Sequence, residues 1–292
     1  MGLRLAEALR PPRAGREARR AGRALALALL GALCAGGCAR HGGRKQEVVS
    51  RDPNVLVAYV ACSLVPAMEV AGDRFEAENA GKSVKIEGDE PLKLVARIEK
   101  GEAPDVLVCL GEAEIGVLER EGLLDRASRQ AIGSMELAIA VPASSAIAIA
   151  SFRDLASRRV GSVTMPPPGI TSLGTDGKEA LEREGIWGKL QEKLVLQKAP
   201  LAALKMLAEG KADSGVIYDP CPRLALPDEI PPDSVKVAAR LPGGEGRALR
   251  VYAVAHKRSP NALLGQRFLR LLNSKEMRPA LAEAGLPGAG EE

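Results

Sequence analysis

After residue 54 the apolar positions come as short unbroken runs separated by amphipathic stretches. Residues 55–60 (VLVAYV) form the first run, which predicts a strand buried on both faces. Leu64, Met68, Ala71 and Phe75 then recur at helical spacing, and Ser63 stands where an N-cap hydroxyl is expected. Residues 83–87 read as a second strand. Pro91 opens a second helix that turns Leu92, Val95 and Ile98 inward. A third buried strand covers 106–110, and a helix over 112–121 stops at Gly122. This β-α-β-α-β-α order predicts a parallel sheet with helices on its faces.

Two apolar runs, 137–141 and 146–150, lie on either side of Pro142, and a second α/β series follows. It reads as strand 160–163, helix 174–184, strand 194–196, helix 200–208 and strand 213–218. Pro220, Pro222, Pro227, Pro231 and Pro232 mark a stiff loop. Strands at 235–239 and 250–255 and helices at 261–272 and 274–284 complete the chain. Two α/β lobes imply a cleft, and ligands of open α/β sheets bind beyond the C-terminal strand ends. The residues to watch are therefore 61–63, 88–91, 109–112 and 218–222.

The first 53 residues follow a different pattern. Residues 1–37 hold seven arginines against two glutamates, and the apolar run 24–33 follows them. A basic region, a short apolar region and small residues at its end describe an export signal. The run is too short to span a bilayer, which needs about 20 residues. Ala35-Gly36-Gly37-Cys38 resembles a bacterial lipobox, with Ala35 where leucine is usual, and makes Cys38 the expected lipidation site. The other reading is a plain cleaved signal. Residues 39–53 are polar and read as a tether. The expected division is 1–37 signal peptide, 38–53 tether, 54–138 plus 251–292 lobe one, and 139–250 lobe two.

That division changes what composition means. The formal charge of the 292-residue chain is +4, but the signal carries +5, so the remainder is near −1. An anionic macromolecule is then no longer implied. Aromatic residues are 2% of the chain, too few for a base-stacking surface or an aromatic sugar platform. His41 and His256 are the only histidines, which leaves little room for a His-rich metal site or a Ser-His-Asp triad. No cofactor and no nucleic-acid partner are expected, and the chain is not expected to be an enzyme.

Several fragments, in order, carry a resemblance. They are Tyr59-Val60-Ala61-Cys62-Ser63-Leu64, Gly101-Glu102-Ala103-Pro104-Asp105-Val106, Gly122-Leu123-Leu124 and residues 136–142. Lys178-Glu179-Ala180-Leu181 with Gly185-Ile186-Trp187, the segment 210–218 (GKADSGVIY) and Tyr252-Ala253-Val254 continue the series. Together they resemble the molybdate-binding family of ABC-transporter substrate-binding proteins, over about residues 54–286. The resemblance implies an α/β, two-lobed type II periplasmic binding fold, each lobe a mainly parallel sheet flanked by helices, joined by two hinge strands. It also implies a membrane permease as partner, a small inorganic solute, and a lipid-anchored extracytoplasmic monomer.

In that family hydroxyls and backbone N–H groups hold a tetrahedral oxyanion, a task suited to helix N-termini. The resemblance gives Ser63 the first hydroxyl, sets Ser172, Leu173 and Pro200 where lobe two offers backbone groups, and sets Tyr218 on the family's tyrosine. Pro200 has no N–H to give. The second loop, Gly88-Asp89-Glu90-Pro91, replaces the family's hydroxyl-rich segment with carboxylates. Asp89 and Glu90 either face the cleft or cap a helix and meet water. Cys62, Cys109 and Cys221 all fall at C-terminal strand ends. Three readings stand for them: packing, a Cys62–Cys109 disulfide, or thiolate ligands for a soft cation or arsenite. An exported thiol enzyme is a further reading, with His256 as the only folded-domain histidine.

Overall fold

The computed structural model describes residues 51–219, 230–241 and 249–286. The expected export signal, with Cys38, and also Cys221 lie outside the described residues. The first buried run is β1 (Val55–Ala61), flanked by β2 (Ser83–Asp89) and β3 (Val106–Leu110), and all three are parallel. Both faces of β3 are covered, so its five residues are all buried, which is why it lacks alternation. Helix α1 (Val65–Glu78), α2 (Pro91–Glu99) and α3 (Ala113–Arg120) follow these strands. Two antiparallel strands, β4 (Gln130–Met135) and β10 (Leu249–Ala255), complete a sheet of order β2-β1-β3-β10-β4.

The second sheet has the order β7-β6-β8-β5-β9. Its strands are β5 (Leu137–Pro142), β6 (Val163–Met165), β7 (Leu194–Leu196), β8 (Ser214–Tyr218) and β9 (Val235–Arg240). Helix α4 (Ser172–Arg183) and α5 (Pro200–Ala208) belong to this half. The chain crosses between sheets at Glu136, and it returns between β9 and β10. Leu137 and Ala138 therefore pair in the second sheet, and Leu249 and Arg250 in the first. Each sheet is mixed: four strands run one way, and one, β10 in the first sheet and β5 in the second, runs against them. Both sheets lie in one compact unit, Val49–Glu292.

Helix α6 (Ala262–Leu272) and α7 (Arg278–Glu283) pack back on the first half. Phe75 of α1 meets Phe268 of α6 edge-on, with centroids 5.6 Å apart and planes at 81°. Such a pair contributes about 0.5–1.5 kcal/mol beyond its buried area.

Four local expectations change. Strand β4 was not foreseen, because Gly133 and Ser134 break its apolar signal; its identity comes from pairing with β10. Residues 146–150 form no strand. The expected strand over 160–163 begins only at Val163, because the amides of Gly161 and Ser162 donate to the Asp213 carboxylate at 2.7 and 3.0 Å. Ser63 caps nothing: it lies buried inside a 3-10 turn, Cys62–Leu64, and neither that turn nor α1 has a side-chain cap.

Candidate ligand cleft between the lobes

The cleft is built where β3 ends. Gly111 follows Leu110 with φ of 69°, a left-handed turn that suits glycine, and its N–H donates to the Arg250 carbonyl at 2.9 Å. A Cβ at Gly111 would lie 2.3 Å from both Cβ and Oγ of Ser172, so glycine also makes room for the other lobe. On that lobe, Thr171 caps α4 by accepting from the Gly174 amide at 3.0 Å. Gly174 lies so close to the carbonyls of Pro166 and Pro167 that no side chain fits there. This pins the proline loop against the start of α4.

Ser172, the first residue of α4, meets α3 directly. Its amide donates to Glu114 Oε1 at 3.1 Å and its hydroxyl donates to Glu114 Oε2. The same hydroxyl accepts from the Ala113 amide at 3.0 Å. Burial pushes the Glu114 carboxyl above its usual value, opposed by the two Ser172 bonds.

Beside this contact lies a cavity of about 740 Å³, within the range for small-molecule sites. Lobe one supplies Glu112, Glu119, Arg129 and Tyr252; lobe two supplies Thr175 and Asp176. Tyr252 donates its hydroxyl to Glu112 Oε1 at 2.9 Å, and the Arg129 guanidinium lies 5.0 Å from the Tyr252 ring centroid. Arg129 also approaches Glu112 at 3.9 Å and Glu119 at 3.6 Å. Asp176 Oδ2 is buried without a hydrogen-bond partner among the described residues. Burial pushes the Asp176 carboxyl up to about 7, helped by the nearby charges of Glu179, Glu114 and Glu112 and opposed by Arg183.

Of the expected ligand residues that are described, only Ser172 lines this cavity. Cys62, Asp89, Glu90 and Cys109 gather at the ends of β1, β2 and β3. Ala61 stands opposite Asp89, and the charges of Asp89 and Glu90 bear on Cys62. Asp89 Oδ1 accepts from the Glu90 amide at 2.8 Å, and Lys93 approaches the two carboxylates at 3.3 and 3.8 Å. Neither carboxylate caps α2, which has no side-chain cap. Ser63 and Leu173 are buried, Pro200 is half-buried at the start of α5, and Tyr218 is buried at the end of β8, opposite Leu137.

Cys62 and Cys109 are free thiols, so no disulfide joins them. Burial raises both, Cys109 well above the ordinary thiol value, with Glu114 and Cys62 adding to it. Protonated thiols are poor metal ligands and poor nucleophiles. Among the described residues no group of three or more His, Cys, Asp or Glu side chains is arranged to hold a metal ion. His256 follows β10 at the far end of the sheet, where Ala255 pairs with Val106, whereas Cys109 pairs with Tyr252. At about 3.3 Å per residue that leaves His256 roughly 10 Å or more along the strand from Cys109. That separation leaves His256 and Cys109 unpaired with each other, and burial pushes the imidazole down to about 4.

Glu114, Asp176, Arg129 and Glu119 were missed by the sequence reading. The window 109–112 pointed to the right strand end, and Ser172 and Asp176 share a helix face at i,i+4 spacing. Nothing local marks Glu114, whose partner is 58 residues away.

Residues 56–286 match the family of bacterial extracellular solute-binding proteins. The chain belongs to that family. "Putative ABC transporter substrate-binding lipoprotein YvgL" of Bacillus subtilis is 22% identical over 65% of this chain and 72% of its own length. The molybdate-binding protein ModA of Haemophilus influenzae is 20% identical over 79% of this chain and 89% of its own. The periplasmic molybdate-binding protein of Azotobacter vinelandii superposes with a TM-score of 0.62 at 20% identity, covering 79% of this chain and 98% of that one. Thus the chain is a divergent relative of the molybdate-binding proteins with the type II periplasmic binding fold. Proteins of the same fold also include ones named for sulfate, iron and thiamin. Among the described residues no helix is long and apolar enough to cross a membrane.

Proposed function

We propose that this solute-binding protein is the extracytoplasmic receptor of an ABC importer and closes its lobes on a small oxyanion of the molybdate or tungstate class. The observation that carries this reading is the ordered similarity to molybdate-binding relatives across both sheets, with the amino ends of α4 and α5 belonging to one lobe and Ser63 to the other. In this reading Ser63, Leu173 and Tyr218 contact the anion, and the lobes divide near 138 and 250 as the sequence suggests. The ligand set is weaker than the family's, because Pro200 gives no N–H and Asp89 and Glu90 stand where hydroxyls are usual. Lys93 offsets part of that negative charge. Cys38 carries a lipid that holds a monomeric receptor at the membrane, beside its permease.

Calorimetry of the reduced mature domain with molybdate, tungstate and sulfate tests the ligand class. Heat and a thermal shift with the first two are expected, and an inert protein with all three sinks the oxyanion reading. A second reading, a soft-metal or arsenite receptor, is favoured by the closeness of Cys62 to Cys109 at the ends of neighbouring strands. It requires Cys221 as a third ligand, and serine at all three positions must then abolish arsenite binding.

A further inference from the structure

The lobes also meet through polar groups that need no solute. Glu114 of lobe one is 3% exposed, and among the described residues no lysine or arginine forms an ion pair with it. A buried carboxylate is costly unless donors reach it. Apart from its own amide, its donors come from one residue of lobe two: the Ser172 amide at 3.1 Å and the Ser172 hydroxyl. The exchange is reciprocal, because the Ser172 hydroxyl accepts from the Ala113 amide at 3.0 Å. Ser172 and Ala113 are the first residues of α4 and α3, where amides have no partner inside their own helix. Each helix end thus has an open donor satisfied by the opposite lobe, and Glu114 adds a negative charge at the amino end of α4, where the helix dipole favours it. Gly111 permits the approach, since a Cβ there would strike Ser172.

We propose that Glu114 and Ser172 form a clasp that holds the two lobes closed in the absence of solute. The clasp takes up Ser172, one of the expected oxyanion ligands, yet its bonds run between the lobes and need no particular solute. A receptor with such a clasp spends most of its time closed when empty, and a solute shifts that population instead of creating it. Opening must then break the Ser172–Glu114 and Ala113–Ser172 bonds together.

Hydrogen exchange of the solute-free protein, with small-angle X-ray scattering beside it, tests this. The Ser172 and Ala113 amides have acceptors only across the lobes, so both exchange slowly if the clasp is shut. Glu114→Ala removes the acceptor of Ser172, and Ser172→Ala removes that of Ala113. The expected result is that each variant speeds exchange of both amides by at least tenfold and enlarges the radius of gyration. Glu114→Gln, which keeps an acceptor oxygen, should lie between wild type and Glu114→Ala. Ser172→Ala removes a single oxygen and keeps the test usable if Glu114→Ala folds poorly. The proposal is overturned if both amides exchange fast in the wild type. It is equally overturned if each variant frees only the amide that lost its acceptor and leaves the scattering unchanged.

Discussion

Asp176 carries the least settled charge in the cleft. Its carboxyl is raised to about 7 because burial and three neighbouring carboxylates disfavour ionisation. A raised acid binds its proton more tightly in the folded state, so its stabilising effect is full below the ordinary carboxylate value and fades as pH rises through about 7. Glu114, also raised, acts in the same direction. Across pH 4 to pH 8 Asp176 therefore lowers the thermal midpoint as pH rises, whereas His256, pushed down to about 4, works the other way below its ordinary value, so the check is the difference between proteins: Asp176→Asn should gain midpoint relative to the wild type as pH rises. A variant whose midpoint has the same pH slope as the wild type's would refute the assignment to Asp176. At this scale the sequence showed which strand ends to inspect but not which side chains meet there. Asp89 and Glu90 attracted suspicion as carboxylates without counter-charge, and Lys93, within four residues of both, supplies it. For Cys62 and Cys109 the sequence left packing, a disulfide and ligand roles open; the thiols are free, and burial disfavours their thiolate forms.

Among the elements, those with a strong local signal were legible. Strand Val106–Leu110 and helix Pro200–Ala208 follow from an unbroken apolar run and from a proline at the first helical position. Strand β4 was not legible, because Gly133 and Ser134 dilute its pattern and β10, more than 110 residues away, supplies its partner. The misplaced cap has a similar cause. Ser63 has the right chemistry for a cap, but the tight turn at Cys62–Leu64 delays α1 to Val65. The cap that matters is Thr171, which fixes the start of α4 and with it Ser172. Thr171→Ala should lower stability by about 1 kcal/mol. Denaturant titration checks this, and a change below a few tenths of a kcal/mol would show that the proline loop alone sets the helix start.

For the whole molecule, the charge balance and the two α/β series were readable because arginine clustering and strand–helix alternation are local patterns. The arginines of residues 1–37 account for the apparent basicity, and the remaining chain is close to neutral. Anchoring belongs to this scale too. Cys38→Ser should move the protein from the membrane fraction to the soluble fraction, and unchanged fractionation would rule out lipidation at that position. The sequence by itself determined most of the strand and helix order, β4 excepted, together with the two-lobed fold and the family resemblance, since each rests on residues within a few positions of one another. Only the tertiary structure decided which groups face each other across the cleft. Glu114 meets Ser172 across 58 positions, and within lobe one Tyr252 meets Glu112 across 140. Those pairs exist because the chain crosses between the sheets at Glu136 and returns through β10. Local periodicity records which face of an element is buried, but it carries nothing about which distant face will cover it.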